Sequence, residues 1–168
     1  PVTGGDSRQE SCLKGLESLR AAKPVRVLIH DAARPFVDPA TIDSVLDALD
    51  KAPGAIPALP VSDALKQVTS DGRVDHSVGR ANLWRAQTPQ GFHFDAILDA
   101  HQRFGGAAHV DDAAVAEAAG LAIAVVPGSE DNYKVTSEDD VRRADRILGS
   151  SDIRVGSGFD VHRFTAGI

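Results

Sequence analysis

The sequence predicts an α/β fold, a doubly wound sheet covered by helices, with a small β-arm standing out from it. Short apolar runs alternate along the chain with segments of helical periodicity. Those runs are brief and rich in β-branched residues, as the strands of a buried sheet are. Residues 64 to 80 interrupt the alternation with a polar stretch around the turn signal Ser70-Asp71-Gly72-Arg73, which suits a protruding hairpin better than a core element.

The elements follow in order. Residues 25 to 30 read as a strand, with Val27, Leu28 and Ile29 fit for a buried parallel position. Asp38-Pro39 supplies an N-cap with proline at the first helical position. Ile42, Val45, Leu46 and Leu49 then recur at i, i+3, i+4 and i+7, one face of a helix. Pro53-Gly54 ends that helix, and "AIPALPV" returns as a proline-marked strand. After the arm, Phe94 to Phe104 and Asp111 to Ala119 read as helices, the second stopped by Gly120. "LAIAVV" is a strand by length and branching. Ser137 and Asp140 resemble a capping box with Asp in place of Glu, and the helix behind them runs to Leu148 with Gly149 after it. Ser150-Ser151-Asp152 reads as a junction, so the predicted boundaries are a domain over 1–149, a junction at 150–152 and a new strand in 153–168.

Composition narrows the function. The 168 residues carry a formal net charge of -6 with mixed signs, which disfavours nucleic-acid and anionic-membrane partners. A local cluster of Arg and Lys still suits a small anionic substrate. The single cysteine, Cys12, excludes an internal disulfide framework and fits a reducing compartment. No apolar run approaches a membrane span and no signal peptide opens the chain, so a soluble cytoplasmic protein is expected. The chain lacks methionine and stops at Ile168, shortly after the strand-like run "IRVGSGF", which predicts a segment of a longer polypeptide.

Candidate chemistry collects at strand ends, where open α/β sheets bind ligands. "VLIHDAARPFV" runs from an apolar strand straight into Asp31 and Arg34, which read either as a local cap and ion pair or as part of a charged site. Gly4-Gly5-Asp6 with Arg8 and Ser11 offers glycine backbone, a carboxylate, a guanidinium and a hydroxyl beside a helix start, suited to a nucleotide or to no more than that helix start. Arg80 is a candidate phosphate ligand, and Lys134 offers a point charge of the kind phosphoryl transfer uses. Trp84 reads as core. His30, His93, His101 and His109 show no metal-ligand spacing and read as structural or surface residues.

Taken together, "GGDSRQESCLKGL", "HDAARPFV", "PVSDALK", "LWRAQTPQGF", "DDAAVAEAAG" and "NYKVT" occur in an order that resembles the 2-C-methyl-D-erythritol 4-phosphate cytidylyltransferase family, over residues 1 to about 148. The resemblance implies a Rossmann-like nucleotidyltransferase sheet whose N-terminal part, a glycine-rich loop with a phosphate-binding Arg and Lys, is missing from this segment. It implies transfer of CMP from CTP to a sugar-alcohol phosphate, with release of pyrophosphate and with Mg²⁺ as the metal. By the same resemblance Gly5, Asp6, Arg8 and Ser11 line the cytidine pocket, and Asp31, with Ala32 and Arg34 in its loop, holds Mg²⁺ against the triphosphate. Arg80 and Thr88 hold the methylerythritol phosphate, and Lys134 lies near the transferring phosphate. Residues 64–80 resemble the family's dimerisation arm, which implies a homodimer in which Arg80 serves the neighbouring site. Ala64 and Val110 depart from the family pattern, each removing a hydroxyl near the substrate phosphate.

"IRVGSGFDVHRF" resembles the opening strand of 2-C-methyl-D-erythritol 2,4-cyclodiphosphate synthase. Asp160 and His162 point to one face of such a strand and match that family's D-x-H ligands for Zn²⁺ or another divalent metal. The two resemblances together imply part of a bifunctional isoprenoid-biosynthesis enzyme, a higher oligomer when complete. A cytidylyltransferase for another polyol phosphate, such as ribitol 5-phosphate, and a non-catalytic dimerisation module are the competing readings.

Overall fold

The computed structural model describes residues 1–106 and 108–149. They fall into two compact units, Pro1–Lys134 and a second beginning at Val135. The junction expected at 150–152 and the strand expected in 153–168, with Asp160 and His162, lie outside the described residues.

The first unit opens with α1 (Arg8–Leu19), capped by Ser7, whose hydroxyl accepts from the Glu10 N–H. Strand β1 (Arg26–Ile29) leads to α2 (Pro39–Ala48), where Asp38 accepts from the Thr41 N–H and Pro39 takes the first helical turn. Strand β2 (Gly54–Pro60) follows, then β3 (Leu65–Val68), β4 (Val74–Val78), β5 (Trp84–Ala86) and β6 (Gln90–His93). Helices α3 (Phe94–Phe104) and α4 (Asp112–Ala118) precede β7 (Ile123–Pro127). Gly120, at φ 79°, makes the left-handed turn out of α4, a conformation that glycine adopts without cost.

The sheet is mixed. Strand β2 pairs with β7 in parallel along its length and with β5 and β6 antiparallel on its other side. Strand β1 pairs antiparallel with β6, Arg26 opposite His93 and Ile29 opposite Gln90. The parallel position expected for Val27–Ile29 is therefore corrected: β6, running the opposite way, lies between β1 and β2. Alternation along β1 and β6 divides the core between two faces. Val27, Ile29 and Phe92 join Leu16, Phe94, Ile97, Leu98 and Val115. Leu28 joins Val45, Leu49 and Ala55. Helices α1, α3 and α4 thus cover one face and α2 the other, which is the double layering expected.

Residues 84–93 carry no alternation to betray β5 and β6. Burial of β6 depends on Gly91, where a Cβ would stand 2.5 Å from Val45 Cγ1 and 3.0 Å from Leu28 Cδ2, so α2 closes onto the strand only because that side chain is absent. Trp84, expected in the core, is half-exposed on β5, opposite Pro60 of β2. The arm forms as expected: β3 and β4 pair with each other in a sheet of their own, closed by Gly72 at φ 81°.

In the second unit α5 (Glu138–Gly149) carries the expected cap. Asp140 Oδ2 accepts from the backbone N–H groups of Thr136 and Ser137, and the Asp140 N–H donates to Ser137 Oγ. These bonds hold the Asp140 carboxyl down to about 2.

Candidate active site

Beyond the carboxyl end of β1 lies a cleft of about 210 Å³, lined by Arg8, Asp31, Arg34, Gln87, Thr88 and Lys134 among others. Asp31 is its anionic centre. Lys134 Nζ stands 2.9 Å from Asp31 Oδ2, Arg34 Nε 3.9 Å from the same oxygen, and Arg8 Nη2 4.0 Å from Oδ1. Three cations thus surround Asp31 and turn charged donors toward the cleft, which suits an anionic ligand.

The loop holding Asp31 is tied at several points. The Arg34 N–H donates to Asp31 O at 2.9 Å, closing a turn. The Asp31 N–H donates to Thr88 Oγ1 at 3.0 Å, and Thr88 Oγ1 lies 3.0 Å from His30 Nδ1. His30 Nε2 donates to Arg34 O at 2.9 Å, which leaves Nδ1 to accept the Thr88 proton. Thr88 is therefore occupied in holding the Asp31 loop.

A second tie fixes the loop that carries Lys134. Gln87 donates from Nε2 to Ser129 O and Asn132 O, and accepts at Oε1 from the Ser129 N–H. Asn132, fully buried, donates to Thr88 O, and Arg34 Nη1 donates to Asn132 O at 2.7 Å. Gly128 is required here, because a Cβ would fall 2.4 Å from Gln87 Oε1 and 3.2 Å from the Ala58 backbone.

Arg8 is placed by a buried pair. Its Nη2 donates to Asp112 Oδ2 at 2.5 Å, and Asp112 Oδ1 accepts from His101 Nε2 at 3.0 Å. Burial pushes the Asp112 carboxyl up, but the bonds from His101 and Arg8 outweigh it and hold the group below the usual carboxylate range. Burial pulls the Arg8 guanidinium down, yet Asp112 leaves it above its ordinary value. Arg34 is lowered by burial, with Asp31 opposing. Among the described residues, Arg8 Nη1 and Arg34 Nε are buried donors without a partner. Two guanidinium groups with unsatisfied N–H bonds on one cleft fit oxygens of a phosphate.

The structure brings together Arg8, Asp31, Arg34, Thr88 and Lys134. Ala32 lies next to Asp31 in the same loop. Gly5 and Asp6 lie before α1 and Ser11 in its first turn, the Gly5 N–H donating to Ser11 Oγ and the Asp6 N–H to Glu10; they are not among the cleft-lining residues. Arg80, exposed after β4, does not line the cleft either. Asp31 as a metal anchor fits only one arrangement. No group of three or more His, Cys, Asp or Glu among the described residues could hold an ion, so most of its oxygen ligands must come from a bound phosphate and water, the usual habit of Mg²⁺. The sequence did not reveal Gln87, Asn132, Asp112 and His101, whose partners lie many residues away.

The family described as IspD, 2-C-methyl-D-erythritol 4-phosphate cytidylyltransferase, matches residues 1–150. The chain is 56% identical over 167 residues to a protein of Rhodospirillum rubrum named bifunctional enzyme IspD/IspF, covering 99% of this chain and 43% of that protein. It is 53% identical to the protein of the same name from Paramagnetospirillum magneticum, covering 98% of this chain and 43% of the relative. It therefore spans less than half the length of these relatives. Among solved structures, the 2-C-methyl-D-erythritol 4-phosphate cytidylyltransferase of Thermus thermophilus superposes with TM-score 0.80 at 35% identity, over 88% of this chain and 72% of that one. The bifunctional IspDF of Campylobacter jejuni superposes with TM-score 0.72 at 29% identity, over 84% and 36%.

Proposed function

The chain belongs to the 2-C-methyl-D-erythritol 4-phosphate cytidylyltransferase family, and we propose from that membership that its cleft serves the transfer of CMP from CTP to 2-C-methyl-D-erythritol 4-phosphate. The observation that carries the proposal is the set of three cations around Asp31, two of them bearing unpartnered donors. In the reaction a phosphate oxygen of the acceptor attacks the α-phosphorus of CTP, the bond to the β-phosphate oxygen breaks, and pyrophosphate leaves with its electron pair. Two anions must meet, so charge neutralisation and alignment supply the catalysis. Lys134 and Arg34 offset charge at the transferring phosphate, and Arg8 serves the nucleotide side. Mg²⁺, held by Asp31 and by phosphate oxygens, supplies further neutralisation when bound. Gly5, Asp6 and Ser11 frame the cytidine, and Ala32 lets the Asp31 loop pass close to the ligand.

Thr88 acts by fixing the Asp31 loop and presents its remaining lone pair to a hydroxyl of the acceptor. Arg80 reaches the acceptor phosphate of the neighbouring subunit in a homodimer built through the arm. The whole protein acts in the cytoplasm, adds the cyclodiphosphate synthase activity, and uses Asp160 and His162 for a zinc or similar ion. Isothermal titration of the full-length protein with CTP and Mg²⁺ tests the reading. Saturable CTP binding that weakens on Lys134→Ala is expected, and an absence of CTP binding overturns it.

A further inference from the structure

Asp112 and His101 do not line the cleft, yet both are buried; Asp112 bonds Arg8, and His101 bonds Asp112 from behind. We propose that the two are positioning residues that hold Arg8 away from Asp31 and keep its second nitrogen ready for the nucleotide, a reading that rests on the cytidylyl-transfer function above.

The geometry poses a competition. Arg8 Nη2 has two carboxylates in range, Asp112 at 2.5 Å and Asp31 at 4.0 Å. Asp112 has the shorter contact, and its side chain is fully buried where Asp31 keeps one-fifth of its exposure. A charged hydrogen bond strengthens as water is excluded, so Asp112 keeps the guanidinium. Were Asp112 to let go, Arg8 would close on Asp31, joining Lys134 there and masking the carboxylate that the reaction needs. Binding would then have to break an ion pair first, and a preorganised donor would become one that must be reorganised.

His101 makes the hold directional. Its Nε2–H donates to Asp112 Oδ1 at 3.0 Å, which turns Oδ2 toward Arg8. Its Nδ1 is buried without a partner among the described residues, so the ring's single hydrogen bond is spent on Asp112. Cys12 also faces Asp112; burial and that carboxylate push its thiol up to about 11, so it adds no charge. Arg8 Nη1 is left buried and unpartnered on a residue that lines the cleft.

Three variants of the full-length protein test this. His101→Phe keeps bulk and removes the donor, His101→Gln restores an N–H at a similar distance along the side chain, and Asp112→Asn removes the charge without changing shape. Two readouts apply: CTP affinity by titration calorimetry, and the rate at which phenylglyoxal modifies Arg8, read by peptide mass spectrometry with Arg34 as internal control. His101→Phe and Asp112→Asn should weaken CTP binding about tenfold, the size of one charged hydrogen bond, and should speed labelling of Arg8 but not of Arg34. His101→Gln should recover most of both. Unchanged affinity and labelling in folded His101→Phe, or the same loss in His101→Gln, overturns the inference. If His101→Phe fails to fold, Asp112→Asn decides on the same two readouts. Failure of the wild-type protein to bind CTP overturns the assigned reaction, while Arg8 labelling still decides whether Asp112 and His101 hold it.

Discussion

Lys134 and Asp31 meet at 2.9 Å across a cleft rich in cations, and their contributions differ. Lys134→Ala in the full-length protein should lower kcat by roughly 10²–10³, as loss of one preorganised donor does, in a steady-state assay of pyrophosphate release. Asp31→Asn should lower the rate and weaken its dependence on Mg²⁺ in the same assay. Near-normal turnover in both would remove them from the site. Asp112→Ala also acts on stability, because it leaves buried His101 unpaired and takes from Arg8 its buried partner; a loss of roughly 3 kcal/mol in urea unfolding is expected. The sign with pH follows from its lowered pKa. The stabilisation is fully present above the ordinary carboxylate value of 3.8 and is lost as pH falls through the still lower folded value, so acid should narrow the gap between wild type and variant. Asp31, Arg34 and Lys134 were legible in the sequence because charged residues at strand ends carry a rule. Asp112 and His101 were not, since nothing in the sequence shows that they bond each other and that Asp112 bonds Arg8.

At the scale of elements, helices were readable where caps announced them. Asp38-Pro39 and Ser137 with Asp140 mark α2 and α5 by hydrogen bonds that involve only neighbours in the chain. Strands β5 and β6 went unread because their place is decided by a glycine and by what packs on it. Gly91→Ala should therefore cost about 1–3 kcal/mol in thermal or urea unfolding, since Val45 is β-branched and cannot rotate away cheaply. Asp140→Ala should fray the start of α5 alone, seen as faster amide exchange at residues 136–141. In the native protein the same protection should be complete above the ordinary value of 3.8 and fade as pH falls through about 2.

For the molecule as a whole, the fold class was legible and the strand order was not, because alternation names strands without saying which become neighbours. The arm bears on assembly. If Arg80 serves the neighbouring subunit, mixing full-length Arg80→Ala and Lys134→Ala proteins should restore partial activity, since each mixed dimer holds one intact site. No recovery despite confirmed subunit exchange would place both residues in one subunit's site. The tail bears on the second metal: the full-length protein should hold about one zinc per chain, by atomic absorption, and lose it on His162→Ala. The place of β6 between β1 and β2 has a consequence for synthesis. Strands β1 and β2 leave the ribosome before β6, and this shared partner follows only after the arm has been made, so these three strands cannot join while residues 90–93 are still in the exit tunnel. Nascent chains stalled with Trp84 as the last exposed residue should be cut readily by protease. Those exposing residues through Lys134 should resist, because the late strand has then locked the two early ones together.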